Sequence, residues 1–199
     1  LNELPFDFQN NFPSSASSFR TICEKRLTIS EPLSLPRNSN GYIMQPLPPV
    51  AINQPPSWFG ELPHLSELCN IPEGYTFNSH PKACLDFHGG ETAGLNRLRE
   101  YFFETDSLKS YFQTRNGLLG PNYSSKFSPW LASGCLSPRT IVAEVKRYEE
   151  ERIKNKDTYW MIFELHFREY FKFYSLHHGS KIYHQWGPRG LKKRNPSLE

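Results

Sequence analysis

The run from Thr158 to about His177 carries an apolar or aromatic residue on nearly every side of a helix: Tyr159, Trp160, Ile162, Phe163, Leu165, Phe167, Tyr170, Phe171 and Phe173. A helix that is apolar all round belongs at the centre of a domain, with other elements packed about it. The preceding chain supplies such partners. Ala93, Leu95, Leu98, Tyr101 and Phe102 follow a helical period, so residues 91–104 are expected to form an amphipathic helix. From Pro138 to Ile153 the pattern turns Ile141, Val142, Val145 and Tyr148 inward and Lys146, Arg147, Glu149, Glu150 and Glu151 outward, a solvated charged face. Shorter helices are expected over about 106–113, with Asp106 as cap, and over Phe19–Arg26, behind the serines of 14–18. Asp157 is expected to cap the central helix and Gly179 to end it. The fold class is all-α.

Residues 1–88 read differently. Pro32, Pro36, Pro46, Pro48, Pro49, Pro55 and Pro56 remove donors and fix φ too often for a regular helix or a central strand. A long, mostly irregular connector over 1–88 is expected, followed by a helical domain over 89–199 with order beginning at Gly89. His64, His80 and His88 read as surface or turn residues. Cys23, Cys69, Cys84 and Cys135 are widely spaced, with no CxxC pair and no histidines at zinc spacing. They read as reduced thiols of an intracellular protein with no metal site. No run reaches transmembrane length and no signal-peptide pattern opens the chain, so no membrane partner is expected. The compartment (organelle, nucleus or cytoplasm) and the oligomeric state stay open. A net charge of +3 permits an anionic partner without demanding one. The chain starts at Leu1 rather than Met, within sequence of connector type, and reads as a fragment.

The stretch from Asn122 to Arg139 concentrates chemistry. Ser124, Ser125 and Ser128 bring three hydroxyls, and Lys126 a cation, into five residues. A short apolar helix follows, with Pro129 in its first turn, where a missing N–H costs nothing. Gly134 closes that helix, and Ser137-Pro138 opens the next as N-cap and first residue. Spacing alone fits either an ordinary capped helix–turn–helix or an anion site of hydroxyls and free N–H groups. Glu164 and Arg168, four apart on the apolar helix, are open in the same way. They make either a simple helix pair or two polar groups facing a ligand across a cavity.

A resemblance bears on both choices. Ser124-Ser-Lys-Phe-Ser-Pro-Trp-Leu-Ala-Ser-Gly-Cys-Leu-Ser-Pro-Arg139 resembles the T-S-x-L-S-P-x-L-A-x-G-x-L-S-P-R block of the class I DNA photolyase and cryptochrome family. Arg115-Asn-Gly-Leu-Leu-Gly120, the Lys-Phe of the turn and Gly187-Pro-Arg-Gly190 are most similar to the cryptochrome DASH branch. Phe163-Glu-Leu-His-Phe-Arg-Glu-Tyr-Phe171 resembles that branch's F-E-L-I-W-R-D-F-F helix, and Gly89-Gly-Glu-Thr-Ala93 the start of its FAD domain. Leu4-Pro-Phe6 with Phe19-Arg20 resembles, more faintly, the connector from the family's antenna-binding α/β domain.

The resemblance implies part of a photolyase-type helical FAD-binding domain behind a proline-rich linker. Its cofactor is FAD, held by Tyr111, Arg115, Ser124, Ser125, Lys126, Phe127, Ser128 and Arg168, with the serine turn on the diphosphate. Glu164 is the implied catalytic residue, meeting a flipped pyrimidine dimer on which the residue at Phe167 stacks. The implied partner is DNA, preferably single-stranded. The implied enzyme is a deoxyribodipyrimidine photo-lyase driven by blue or near-UV light. A folate antenna, methenyltetrahydrofolate, would come only with the family's N-terminal domain. The resemblance covers about 85–190 and, faintly, 1–60; it ends before the family's flavin-ring contacts and tryptophan chain. Half an FAD site is therefore expected, and no activity from the fragment alone.

Two positions depart from the pattern. His166 replaces an aliphatic residue and reads as a satisfied core histidine, while Phe167 replaces a tryptophan. Phe167 favours an alternative, a flavin photosensor or nucleic-acid-binding protein without repair activity. A truncated, inactive gene product is the third reading.

Overall fold

A computed structural model describes residues 4–33, 80–188 and 190. Pro36 to Pro56, His64, Cys69 and the basic cluster Lys192–Arg194 lie outside the described residues. The chain divides into two compact units, one of Leu1–Pro32 with Phe87–Glu199 and one of Leu33–Asp86. Of the second, residues 80–86 are described apart from Leu33. They hold a turn closed by the Ala83 N–H on the His80 carbonyl at 2.7 Å.

Every regular element among the described residues is helical. Helix α1, Ala16–Arg26, starts where Ser15 accepts the Ser18 N–H and ends at extended Leu27. Helix α2, Glu91–Arg99, runs on into one π-helical turn, Glu100–Glu104, where the Thr105 N–H reaches back five residues to the Glu100 carbonyl. A 3₁₀ turn at Ser107–Ser110 leads into the short α3, Tyr111–Thr114. Helices α4, Ser128–Ser133, and α5, Pro138–Glu151, are separated by Gly134, whose φ of 77° is the left-handed stop that glycine meets without strain. The long α6, Lys156–His178, closes the unit with a 3₁₀ turn, Gly179–Tyr183.

The core has two parts. Tyr101, Phe102, Leu108, Phe127, Leu136, Ile141, Val145 and Tyr148 are buried, with Phe102 of the π-helical turn meeting Phe127 ahead of α4 and Tyr148 of α5. Around α6, Phe19 and Cys23 of α1 pack on Tyr170, with Leu4, Phe6, Phe12 and Phe173 about them. Residues 4–27, read from sequence as connector, thus pack along α6, on Tyr170 and Phe173 and, through Arg20 and Glu24, on Phe163 and Tyr159.

Four local expectations are corrected. Leu95 points outward at 40% exposure, whereas Arg97 and Gly94 are buried. Arg97 takes an inward place because the segment 121–125 offers it three acceptors, which a ranking by hydrophobicity does not register. Asp106 is not a side-chain cap; in left-handed conformation (φ 52°) it accepts from Tyr148 Oη at 2.5 Å, Lys109 Nζ at 2.6 Å and Arg152 Nη1 at 2.8 Å. Asn155, not Asp157, caps α6, accepting the N–H groups of Asp157 and Thr158 while Thr158 Oγ1 accepts the Asn155 N–H. Glu149 turns partly inward, because Thr158 Oγ1 donates to it at 2.6 Å.

Candidate functional site

The serine turn is held from beneath. Arg97, only 3% exposed, sends three donors into it: Nε to the Ser125 carbonyl at 3.1 Å, Nη1 to Asn122 Oδ1 at 3.2 Å and Nη2 to the Pro121 carbonyl at 2.6 Å. Glu100 balances the charge at 3.0 Å, and the guanidinium lies 5.2 Å from the Tyr101 ring centre. On top of this anchor Lys126 is left-handed (φ 61°) and Phe127 right-handed (φ −73°, ψ −14°). Residues of alternating hand turn successive N–H groups to one side and form a concave anion-binding nest. The Phe127 ring goes the other way, into the core 6.1 Å from Tyr101 and 5.9 Å from Phe102, so only its backbone is available at the turn. Ser125 is buried, Ser124 and Lys126 are half-buried, and Ser128 is exposed.

A second group forms where α3 meets α6. Buried Asp157 accepts the Phe112 N–H at 2.9 Å, and the Asn155 amide donates to the Lys109 carbonyl at 3.0 Å. These bonds fix α3 against the start of the long helix. Arg115 Nη1 then donates to Glu164 Oε1 at 2.9 Å, and Trp160 Nε1 donates to the same oxygen at 2.9 Å. The Arg115 guanidinium also lies 5.1 Å from the Trp160 ring centre. Its Nε is buried and has no acceptor among the described residues. Tyr111 is buried beside Tyr101; burial, with the Glu164 charge adding and Arg115 opposing, pushes its phenol up to about 12. It is a neutral hydroxyl at any ordinary pH.

Glu164 and Arg168 take different partners. Arg168 pairs with Glu169 and donates from Nη2 to the Leu131 carbonyl at 3.2 Å, tying α6 to the helix that follows the serine turn. Beside Glu164 runs an aromatic row: Trp160 stacks on Phe163 at 4.2 Å, Phe163 meets Phe167 at 4.7 Å, and Phe167 meets Phe171 at 6.5 Å. Phe167 is half-buried in that row. His166 looks towards α1 instead, its Nδ1 2.9 Å from the Ile162 carbonyl, and lines a cleft with Phe19, Cys23 and Leu165.

Tyr111, Arg115, Glu164 and the Phe167 row are thus brought together, and the serine turn joins them through Tyr101, which touches both Tyr111 and Phe127. Arg97, Asn122 and Trp160 escaped the sequence reading. Arg97 had a signal: it is four residues from both Ala93 and Tyr101, so it shares their inward face. Among the described residues no cluster of His, Cys, Asp or Glu is suited to a metal ion, and no helix is long and apolar enough to cross a membrane.

No family model matches the sequence. Cryptochrome DASH, chloroplastic/mitochondrial, of Oryza sativa subsp. japonica is 43% identical over 194 residues, which are 98% of this chain and 31% of that protein. Cryptochrome DASH of Gloeobacter violaceus is 45% identical over 190 residues, 96% of this chain and 35% of that protein. The crystal structure of Synechocystis cryptochrome superposes with a TM-score of 0.67 at 38% identity, over 94% of this chain and 35% of that one. The chain therefore spans about a third of the length of these relatives. Motif, helical architecture and these likenesses agree: along almost its whole length the chain is similar to cryptochrome DASH proteins, and it fits a part of such a protein.

Proposed function

We propose that this chain supplies the diphosphate side of an FAD site and the lesion-facing helix of a light-driven photolyase acting on pyrimidine dimers in single-stranded DNA. The observation that carries this reading is the left-handed Lys126 followed by right-handed Phe127, among three serines. Holding a lysine in that conformation costs about 1–2 kcal/mol. Glycine would avoid the cost if the turn only reversed the chain. A diphosphate offsets it, taking the nest N–H groups, the Ser124 and Ser128 hydroxyls and the Lys126 ammonium. The unpartnered Arg115 Nε suits a ligand oxygen in the same way.

FAD, when bound, supplies the light-driven electron chemistry. The chain's own residues bind and orient. Glu164 Oε1 already takes two donors, which leaves Oε2 to accept from a base N–H. Phe167 offers a ring face for stacking, and a dimer reaches it only after leaving the DNA stack.

The test uses a full-length protein carrying this chain. Lys126→Ala and Ser128→Ala should each weaken FAD by about ten-fold, since a charged or hydroxyl hydrogen bond contributes about 1–3 kcal/mol. Unchanged flavin content in both variants would overturn the diphosphate assignment. The 199-residue chain alone should lose flavin on gel filtration, because a diphosphate grip leaves most of the cofactor in water. Phe167 supports the second reading, a non-repairing photosensor. Illumination with a dimer-containing oligonucleotide separates the two: FAD bound without repair favours the sensor.

A further inference from the structure

Arg97 is buried beneath the serine turn, and all three of its hydrogen bonds to that turn pull on one side of it. A trans peptide unit points its carbonyl and its N–H in opposite directions. The Ser125 carbonyl and the Lys126 N–H belong to one such unit. The 3.1 Å bond from Arg97 Nε to that carbonyl therefore turns the Lys126 N–H to the outer side of the turn. The 2.6 Å bond to the Pro121 carbonyl and the 3.2 Å bond to Asn122 Oδ1 fix the other end of the segment. With both ends pinned, Lys126 is held in its left-handed conformation rather than relaxing. Glu100 pairs the guanidinium from the α2 side, so its charge is answered within the protein.

We infer that Arg97 is the positioning residue of the anion turn: it fixes the Ser125–Lys126 peptide plane, and so sets the affinity of the Lys126 and Phe127 amides for a diphosphate. This rests on the FAD reading above. Arg97 itself touches no ligand. It acts from below, through the backbone.

The test is an amide NMR titration of the full 199-residue chain with inorganic pyrophosphate, reading Kd at Lys126 and Phe127 and the coupling constant that reports the Lys126 φ. The unsubstituted chain should show saturable shifts at both amides. Arg97→Gln should bind about ten-fold more weakly and lose the left-handed coupling signature, with the Val145 and Tyr148 core signals unmoved. Arg97→Lys, which keeps the charge near Glu100 but offers one nitrogen in place of three, should recover only part of the loss. Should Arg97→Gln fail to fold, Asn122→Ala removes one acceptor alone and should weaken binding about three-fold. Affinity and coupling that stay unchanged across the folded variants overturn the inference and leave the diphosphate reading intact. Affinity that falls only where the core signals also collapse overturns it too, as a merely structural effect. No saturable shift in the unsubstituted chain removes the diphosphate reading, and this inference with it.

Discussion

The ion pair between Arg115 and Glu164 is the contact on which the geometry of the α3–α6 site turns, and a double-mutant cycle measures it. A charge-assisted hydrogen bond contributes about 1.5–3 kcal/mol when sheltered, and an exposed ion pair about 0–1 kcal/mol. Here the bond is 2.9 Å and the side chains are 28% and 36% exposed, an intermediate case. The coupling should therefore be about 1 kcal/mol. Glu164→Gln keeps an oxygen for Trp160 Nε1 and should cost least. Arg115→Gln leaves a half-buried carboxylate with Trp160 alone and removes the cation over that ring, so it should cost about 2 kcal/mol. The assay is urea unfolding of the chain, its two single variants and the double variant at pH 7 and low salt, with equal slopes as the check on two-state behaviour. Heating should agree, at about 2–4 °C of melting temperature per kcal/mol for a chain of this size. A coupling below about 0.3 kcal/mol would refute the reasoning. It would mean that Arg115 does not hold Glu164 in place.

Asp106 gives a prediction in acid. The hydrogen bond from Lys109, then those from Tyr148 and Arg152, hold its carboxyl at about 2 against an ordinary 3.8. A depressed folded value contributes stability above about pH 4 that is lost as pH falls towards 2; with partial exposure discounted, this is about 1 kcal/mol. Asp106→Asn should flatten thermal stability across that window, and identical pH profiles for both proteins would refute it. Phe167→Trp, in a full-length protein carrying the chain, should tighten binding to dimer-containing single strands by a few-fold to about ten-fold, since base–aromatic stacking is worth about 1–3 kcal/mol. FAD affinity should not move. No gain in the damaged-to-undamaged affinity ratio, with FAD bound normally, would mean that this face does not receive DNA.

Local signals were legible wherever one residue decides one turn. Gly134 and Gly179 end helices because of their conformation, and Ser137 with Pro138 opens α5, as sequence alone suggests. Ile141, Val142, Val145 and Tyr148 lie on the buried stripe that their spacing requires. Apart from Glu149, whose partner Thr158 is close in sequence, the failures share a cause, which is a polar side chain whose partner lies far along the chain. Asp157 looked like a cap but answers the Phe112 N–H, 45 residues earlier, leaving the capping to Asn155. Arg97 has acceptors 24 to 28 residues ahead, and Asp106 has donors 42 and 46 residues ahead. Periodicity ranks positions by hydrophobicity and is blind to a buried charge with its partners supplied. At the site, the family motif marked Glu164 and the serine turn, but the Trp160 donor and the buried anchor under the turn emerge only in three dimensions.

The packing of residues 4–27 along α6 has a consequence for the order in which the chain assembles. His177 donates from Nδ1 to the Phe8 carbonyl across 169 residues of sequence, its ring stacked on Phe12 at 4.9 Å, and Tyr159 donates to Glu24 across 135. Contacts of such separation cannot nucleate folding, because their loop must close before any of them forms. Helices α2 to α6, linked by short turns and the one longer loop 115–127, can collapse on contacts far more local than these first. During synthesis the first thirty residues emerge long before the surface they need exists. Their phenylalanines stay without a dock until α6 has been made, and the beginning of the chain is the last part of this unit to come to rest.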